Sequence, residues 1–137
     1  MGEDLILKFL DKKNVFAVVG ASKDPEKYGH RVYRDLRDAG LKVYPVNPNA
    51  DKVQGDKCYP NLEALPMKPD VVDIVVPPKV TVEVVKTCKK LGIMKLWMQL
   101  GSESQEAINY CRKNGIDVIY GICIMQERRK RGITNLS

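Results

Sequence analysis

The chain carries one histidine, one tryptophan and two phenylalanines in 137 residues. A single His with no nucleophile evident beside it forms neither a catalytic triad nor a zinc cluster. The four cysteines, Cys58, Cys88, Cys111 and Cys123, are widely spaced and include no Cys-x-x-Cys, which disfavours a zinc site or a thioredoxin-like centre. No Gly-Lys-Ser/Thr follows a glycine loop, arguing against a P-loop NTPase, and no Gly-x-Ser-x-Gly marks a hydrolase elbow. Apolar runs of membrane-spanning length are missing. The acidic, mixed start Met1-Gly2-Glu3-Asp4 also lacks the basic region of a signal peptide. A cytoplasmic chain with no membrane partner is expected. Thiols stay reduced in that compartment, so three of the four cysteines are read as small core residues, with Cys123 left open. Asp and Glu fall mostly on helix surfaces or loops, and no catalytic constellation is visible.

What is present describes a globular chain, 44% hydrophobic and 29% charged. The length suits a single domain over residues 1–137 with a real core, and is too short for two. A net charge of +6 favours an anionic partner. Part of that excess is the run Arg128-Arg129-Lys130-Arg131, read as a solvated C-terminus. The alternative, a nucleic-acid arm, lacks an aromatic platform, zinc spacing or helix-turn-helix pattern.

Strand-then-helix patterning repeats along the chain. Helices are expected over Asp4–Lys13, Gly29–Ala39, Val80–Leu91, Ser102–Lys113 and a short C-terminal stretch. The Ser102-Glu103-Ser104-Gln105 capping-box pattern opens the fourth of these. Strands are expected over Val15–Val19, Lys42–Val46, Val71–Val76, Met94–Gln99 and Asp117–Tyr120, with a short strand near Lys57–Tyr59 and one helical turn at Asn61–Leu65. Near-continuous apolar strands are those buried on both sheet faces. Alternation of this kind requires parallel pairing with right-handed crossovers, hence a three-layer, Rossmann-like α/β domain with a mainly parallel sheet.

Ligands of open α/β sheets bind beyond the carboxyl ends of the strands. Those ends are Gly20-Ala21-Ser22, Asn47-Pro48, Val76-Pro77-Pro78, Gln99-Leu100-Gly101-Ser102 and Tyr120-Gly121-Ile122-Cys123. Glycine and proline at any one of them could simply make a turn. Five polar-tipped ends on one rim make a shared ligand site the stronger reading. A dinucleotide fingerprint would place a second glycine soon after Gly20 and an acidic residue at the end of the second strand. The chain has Ala21-Ser22 and Asn47-Pro48 instead, so a small NAD(P)-binding oxidoreductase is the second reading. The longer loop Lys23–Tyr28 suits phosphates gripped by side chains as well as backbone, and Lys23, Lys27 and Arg31 supply cations. His30 stands open between a polar residue of the first helical turn and a ligand contact.

Val-Val-Gly-Ala-Ser (Val18–Ser22), Asn47-Pro48, Val-Val-Pro-Pro (Val75–Pro78), Trp97-Met98-Gln99-x-Gly101 and Cys123-Ile124-Met125, in that order, resemble the stand-alone CoA-binding domain family. These proteins are similar to the N-terminal CoA-binding domain of the succinyl-CoA synthetase α subunit. The resemblance runs from roughly Val15 to Arg129. It implies coenzyme A or an acyl-CoA as ligand, and a carrier, sensor or module without catalysis of its own, as a homo-oligomer or beside a partner enzyme subunit. Carried over by position, Gly20, Ala21 and Ser22 would line the ADP phosphates, with Lys23, Tyr28 and His30 in the segment closing over them. Asn47 and Pro48 would flank the nucleotide, Val76, Pro77 and Pro78 would wall its cleft, and Gln99, Gly101 and Ser102 would approach from the far side. Complete synthetases of this kind need a phosphohistidine domain and an ATP-grasp portion, which a chain ending at Ser137 is expected to lack. If the Cys123 thiol faces the rim, it could form a mixed disulfide with the coenzyme.

Overall fold

The computed structural model describes residues 2–136. From the N-terminus, α1 (Glu3–Phe9) leads into β1 (Val15–Val19), α2 (Tyr28–Asp38) and β2 (Lys42–Val46). An antiparallel hairpin of β3 (Lys52–Val53) and β4 (Asp56–Lys57) and a 3₁₀ turn at Leu62–Ala64 follow. Then come β5 (Val71–Ile74), α3 (Pro78–Leu91), β6 (Lys95–Met98), α4 (Gln105–Lys113), β7 (Asp117–Tyr120) and α5 (Ile124–Lys130). The main sheet has five parallel strands in the order β2-β1-β5-β6-β7.

Period-two alternation divides the core between the two faces of this sheet. Phe16, Val18, Val71, Trp97 and Ile119 face one way and pack with Phe9, Leu10, Leu36 and Ile124 from α1, its C-terminal end, α2 and α5. Ala17, Val72, Ile74, Leu96 and Met98 face the other way, against Val85 and Cys88 of α3 and Ile108 and Cys111 of α4. Trp97 and Phe9 are fully buried, their rings edge to face at 6.1 Å. The expected three-layer architecture is therefore present, with strand order reversing between β1 and β5.

Element boundaries differ from the sequence expectation where side chains intervene. α1 ends at Phe9 because Asn14 Nδ2 donates to the carbonyls of Lys8 and Phe9, both at 3.0 Å. β5 stops at Ile74, two residues early, and α3 begins at Pro78, where a missing N–H costs nothing. α4 starts at Gln105, later than expected: Ser104, and not Ser102, caps it by accepting from the Ala107 N–H at 3.2 Å. The expected strand near Lys57–Tyr59 is a hairpin arm plus a single bridge from Tyr59 to Val46.

The basic run is not a solvated tail. Arg128 is 9% exposed and forks onto Asp35 of α2 at 2.8 and 3.0 Å, and Arg129 joins the same carboxylate at 2.7 Å. Arg131 bridges Glu3 and Glu127, and Lys130 reaches Glu127 at 3.6 Å. Asp35 is nearly buried and needs those cations, so the run clamps α5 to α2. Each of the four cations is paired with a carboxylate, although Arg129 and Lys130 stay exposed. Among the described residues no helix is long and apolar enough to cross a membrane.

Candidate functional site

Beyond the carboxyl ends of β1 and β5, where the strand order reverses, lies an open cleft of about 830 Å³. Gly20 forms its floor. The Gly20 N–H donates to the Val46 carbonyl at 2.9 Å, tying the turn to β2. Its φ of +99° is a conformation that favours glycine, and a Cβ there would overlap the Val75 carbonyl, 2.7 Å from its carbon. Gly29 packs on the Gly20 carbonyl in turn: a Cβ at Gly29 would lie 2.9 Å from that carbonyl carbon. This is the close helix–strand approach that the last glycine of a phosphate-binding turn supplies, met here by a glycine nine positions on.

Two helices begin at the cleft. Lys27, Tyr28 and Gly29 at the start of α2, and Pro77, Pro78 and Val80 at the start of α3, are among its lining. Neither N-cap, Lys27 or Pro77, supplies a capping side chain. At α4 the corresponding donor is already satisfied by Ser104. At α2 and α3 the matching donors, the His30 and Val80 N–H groups, turn back to the Lys27 and Pro77 carbonyls at 3.2 and 2.9 Å, and the positive ends of both helix dipoles are placed where an anion would sit. Val80 and Leu100, 44% and 50% exposed, give the mouth an apolar lip.

Of the residues singled out from sequence, Gly20, Ser22, Tyr28, Asn47, Pro48, Val76, Pro77, Pro78, Gly101 and Ser102 line this cleft. Ala21, Lys23, His30 and Gln99 do not. Ala21 is fully buried in the core and Lys23 is exposed outside the lining. His30 is 6% exposed, and its Nδ1 donates to the Ser22 carbonyl at 2.8 Å, a tie that shapes the turn from behind. Asn47 lines the cleft with its amide engaged: Nδ2 donates to the Ala21 carbonyl and Oδ1 accepts from the Asn49 N–H, both at 2.8 Å. Ser102 holds α3 in place, its carbonyl accepting from Thr81 Oγ1 at 2.8 Å.

Lys27, read as a cation for the phosphates, and Leu100, read as part of the rim, also line the cleft, whereas sequence reasoning left out Val19, Gly29, Asn49, Val75 and Val80, which line it too. It also missed Asp73. This carboxyl sits in the middle of β5, fully buried, and neither oxygen has a hydrogen-bond partner among the described residues. Burial holds it in its neutral form, its pKa well above the usual carboxylate range. A charged residue inside an apolar strand was the available signal.

Next to Asp73, on the side of the sheet covered by α2 and α5, Gln99 is fully buried and turned away from the cleft. Its Nε2 donates to Tyr28 Oη at 2.7 Å and to Cys123 Sγ at 3.5 Å, while its Oε1 accepts from the Ile124 N–H at 3.0 Å. Tyr28 Oη donates to Cys123 Sγ at 3.0 Å, and burial pushes the phenol pKa up. Cys123 is 4% exposed, so its thiol does not face the rim directly. Tyr28 stands between it and the cleft.

A doubly wound parallel sheet of this order, with uncapped helices opening at its switch point, is the architecture of nucleotide-binding α/β proteins. The chain belongs to the CoA binding domain family, which it matches over residues 14–129. It is 33% identical over 119 residues to the α subunit of an ADP-forming acetate–CoA ligase II from Pyrococcus furiosus, covering 79% of this chain and 26% of that one. The uncharacterized protein YneT of Bacillus subtilis is 29% identical over 119 residues, covering 87% of this chain and 88% of YneT. Among solved structures, a hypothetical protein from Pyrococcus horikoshii superposes with a TM-score of 0.89 at 35% identity, covering 95% of this chain and 92% of that one. The chain spans only 13% and 26% of the length of two of the acetate–CoA ligase chains it matches.

Proposed function

We propose that the cleft binds coenzyme A or an acyl-CoA, with the pyrophosphate at the Gly20–Ser22 turn and the start of α2. The supporting observation is the convergence of two helix N-termini without side-chain caps, and Lys27 beside them, on a cleft at the switch point. Backbone N–H groups, helix dipoles and one ammonium are suitable chemistry for a diphosphate. Pro48, Val76 and Pro77 offer apolar walls to the adenosine and the pantetheine arm. The family match agrees with this ligand.

The chain acts in the cytoplasm as a carrier, sensor or module without catalysis of its own, alone or alongside a partner subunit. Its likeness to one portion of acetate–CoA ligase chains supports the partner reading. The NAD(P) reading gains nothing from the site. The position after β2 where an acidic grip on a ribose would stand holds Asn47, whose amide is spent on Ala21 and Asn49.

Calorimetric titration with CoA, dephospho-CoA and NAD tests the proposal. CoA should bind most tightly, and dephospho-CoA should measure the share of its 3′-phosphate. Tighter binding of NAD than of CoA would overturn it.

A further inference from the structure

We propose that Cys123 is a thiol–disulfide exchange site for the coenzyme held in the cleft, reached when the Tyr28 ring swings aside. The inference rests on the CoA reading above. Tyr28 belongs to two environments at once: it lines the cleft, and its hydroxyl donates to Cys123 Sγ. A single ring therefore separates the ligand space from the thiol.

The surroundings of that sulfur differ from those of the core cysteines. Cys88 and Cys111 are sealed among aliphatic side chains, where burial pushes both thiols up, Cys111 to about 11. Cys123 receives two donated hydrogen bonds, from Tyr28 Oη and Gln99 Nε2. Gln99 cannot turn away without losing the Ile124 N–H. The two donors fix the sulfur behind the Tyr28 ring, where a disulfide entering past that ring would meet it.

A second, independent feature marks the same place. The Asp73 carboxyl is wholly buried, close enough to Cys123 to interact with it electrostatically, and neither of its oxygens is satisfied. A buried polar group left unpaired in this way destabilises the fold. The amide and thiol end of a pantetheine arm entering past Tyr28 would bring the missing hydrogen-bonding partners.

The step is a plain exchange. Cys123 gives up its proton and its sulfur bonds to one sulfur of coenzyme A disulfide. The old S–S bond breaks, and the departing CoA thiolate takes up a proton. One disulfide replaces another, so the oxidant is the disulfide itself.

Unreduced protein is incubated with coenzyme A disulfide or, separately, with oxidised glutathione, then analysed by intact mass and peptide mapping. Reduced CoA is titrated calorimetrically into the same preparation. The expected result is one adduct, of one coenzyme less two hydrogens, on the peptide carrying Cys123. It should form at least about tenfold faster than the glutathione adduct, because the nucleotide raises the local concentration of its own disulfide. Cys123→Ser should not form it. Should that variant fail to fold, the map of the wild-type adduct decides alone. CoA binding with no adduct, an adduct on Cys58, Cys88 or Cys111, or equal rates for the two disulfides overturns the inference and leaves the binding proposal standing. Absence of any CoA binding removes both.

Discussion

Replacing Asp73 with asparagine takes one ionisable proton out of the middle of the sheet while keeping the volume of the side chain. In the folded protein this carboxyl is held neutral by complete burial, its pKa raised well above the ordinary 3.8. The unfolded chain carries the ordinary value. A folded pKa above the unfolded one means that the stabilising contribution is fully present below the unfolded value and is lost as pH rises toward the folded one. Between the two values the folded protein holds one proton more than the unfolded chain, so stability falls by about 1.4 kcal/mol per pH unit. That slope holds from the unfolded value up to the folded one and acts against a total of about 5–15 kcal/mol for a domain of ordinary stability. Asparagine cannot ionise, and in an apolar strand its amide is about as poorly satisfied as the neutral acid. Asp73→Asn should therefore match the parent near pH 4 and exceed it increasingly as pH rises above the unfolded value. Urea unfolding of both proteins, without ligand, at a series of pH values measures the difference, and subtraction removes the other carboxylates. Parallel stability curves would refute the reasoning, because they would mean that Asp73 ionises in the folded state as readily as in the unfolded one.

Three further outcomes follow from the same geometry. Gly20→Ala should lower stability by about 2–4 kcal/mol, read from the urea midpoint, because the new Cβ meets the Val75 carbonyl at a φ reserved for glycine. Any loss of CoA binding in that variant would report a displaced turn and not a filled pocket. Arg128→Ala should cost about 2–4 kcal/mol by leaving Asp35 with Arg129 as its remaining partner, and thermal unfolding should register it as a lower Tm. Lys27→Met should weaken CoA about tenfold, roughly 1.4 kcal/mol, and flatten the salt dependence of its affinity, both measurable by calorimetry at two ionic strengths.

Val15–Val19 could be read in the sequence because burial on both faces leaves no alternative composition. Lys42–Val46, an edge strand exposed at its start, is marked instead by the Asn47-Pro48 turn that ends it. The rim could be read for a related reason: in a parallel sheet every carboxyl end points the same way, so listing the ends lists the neighbours. What stayed hidden were partners set by tertiary packing. Arg128 finds Asp35 across 93 positions, and local charge patterning carries no trace of that distance. Periodicity places His30 and Gln99 near the rim but does not tell which way each turns, and both turn inward to hold backbone or buried side chains. Asp73 defied the pattern from the opposite side, since an apolar strand absorbs one polar letter without changing its period.

The cleft is thus rigid at one end and adjustable at the other. Gly29 pressed on the Gly20 carbonyl, Asn47 holding Ala21 and His30 holding Ser22 fix the phosphate turn from three directions. A turn fixed in this way loses little freedom when an anion arrives, so its backbone donors act at close to full strength. At the other end Tyr28 bridges the cleft and the Asp73–Gln99–Cys123 cluster through hydrogen bonds that one rotation of its ring would release. If coenzyme A binds as proposed, its nucleotide half would meet a preformed surface and its far half a side chain that must move. Affinity would then be set by the phosphate end, and any chemistry at the sulfur by how readily Tyr28 gives way.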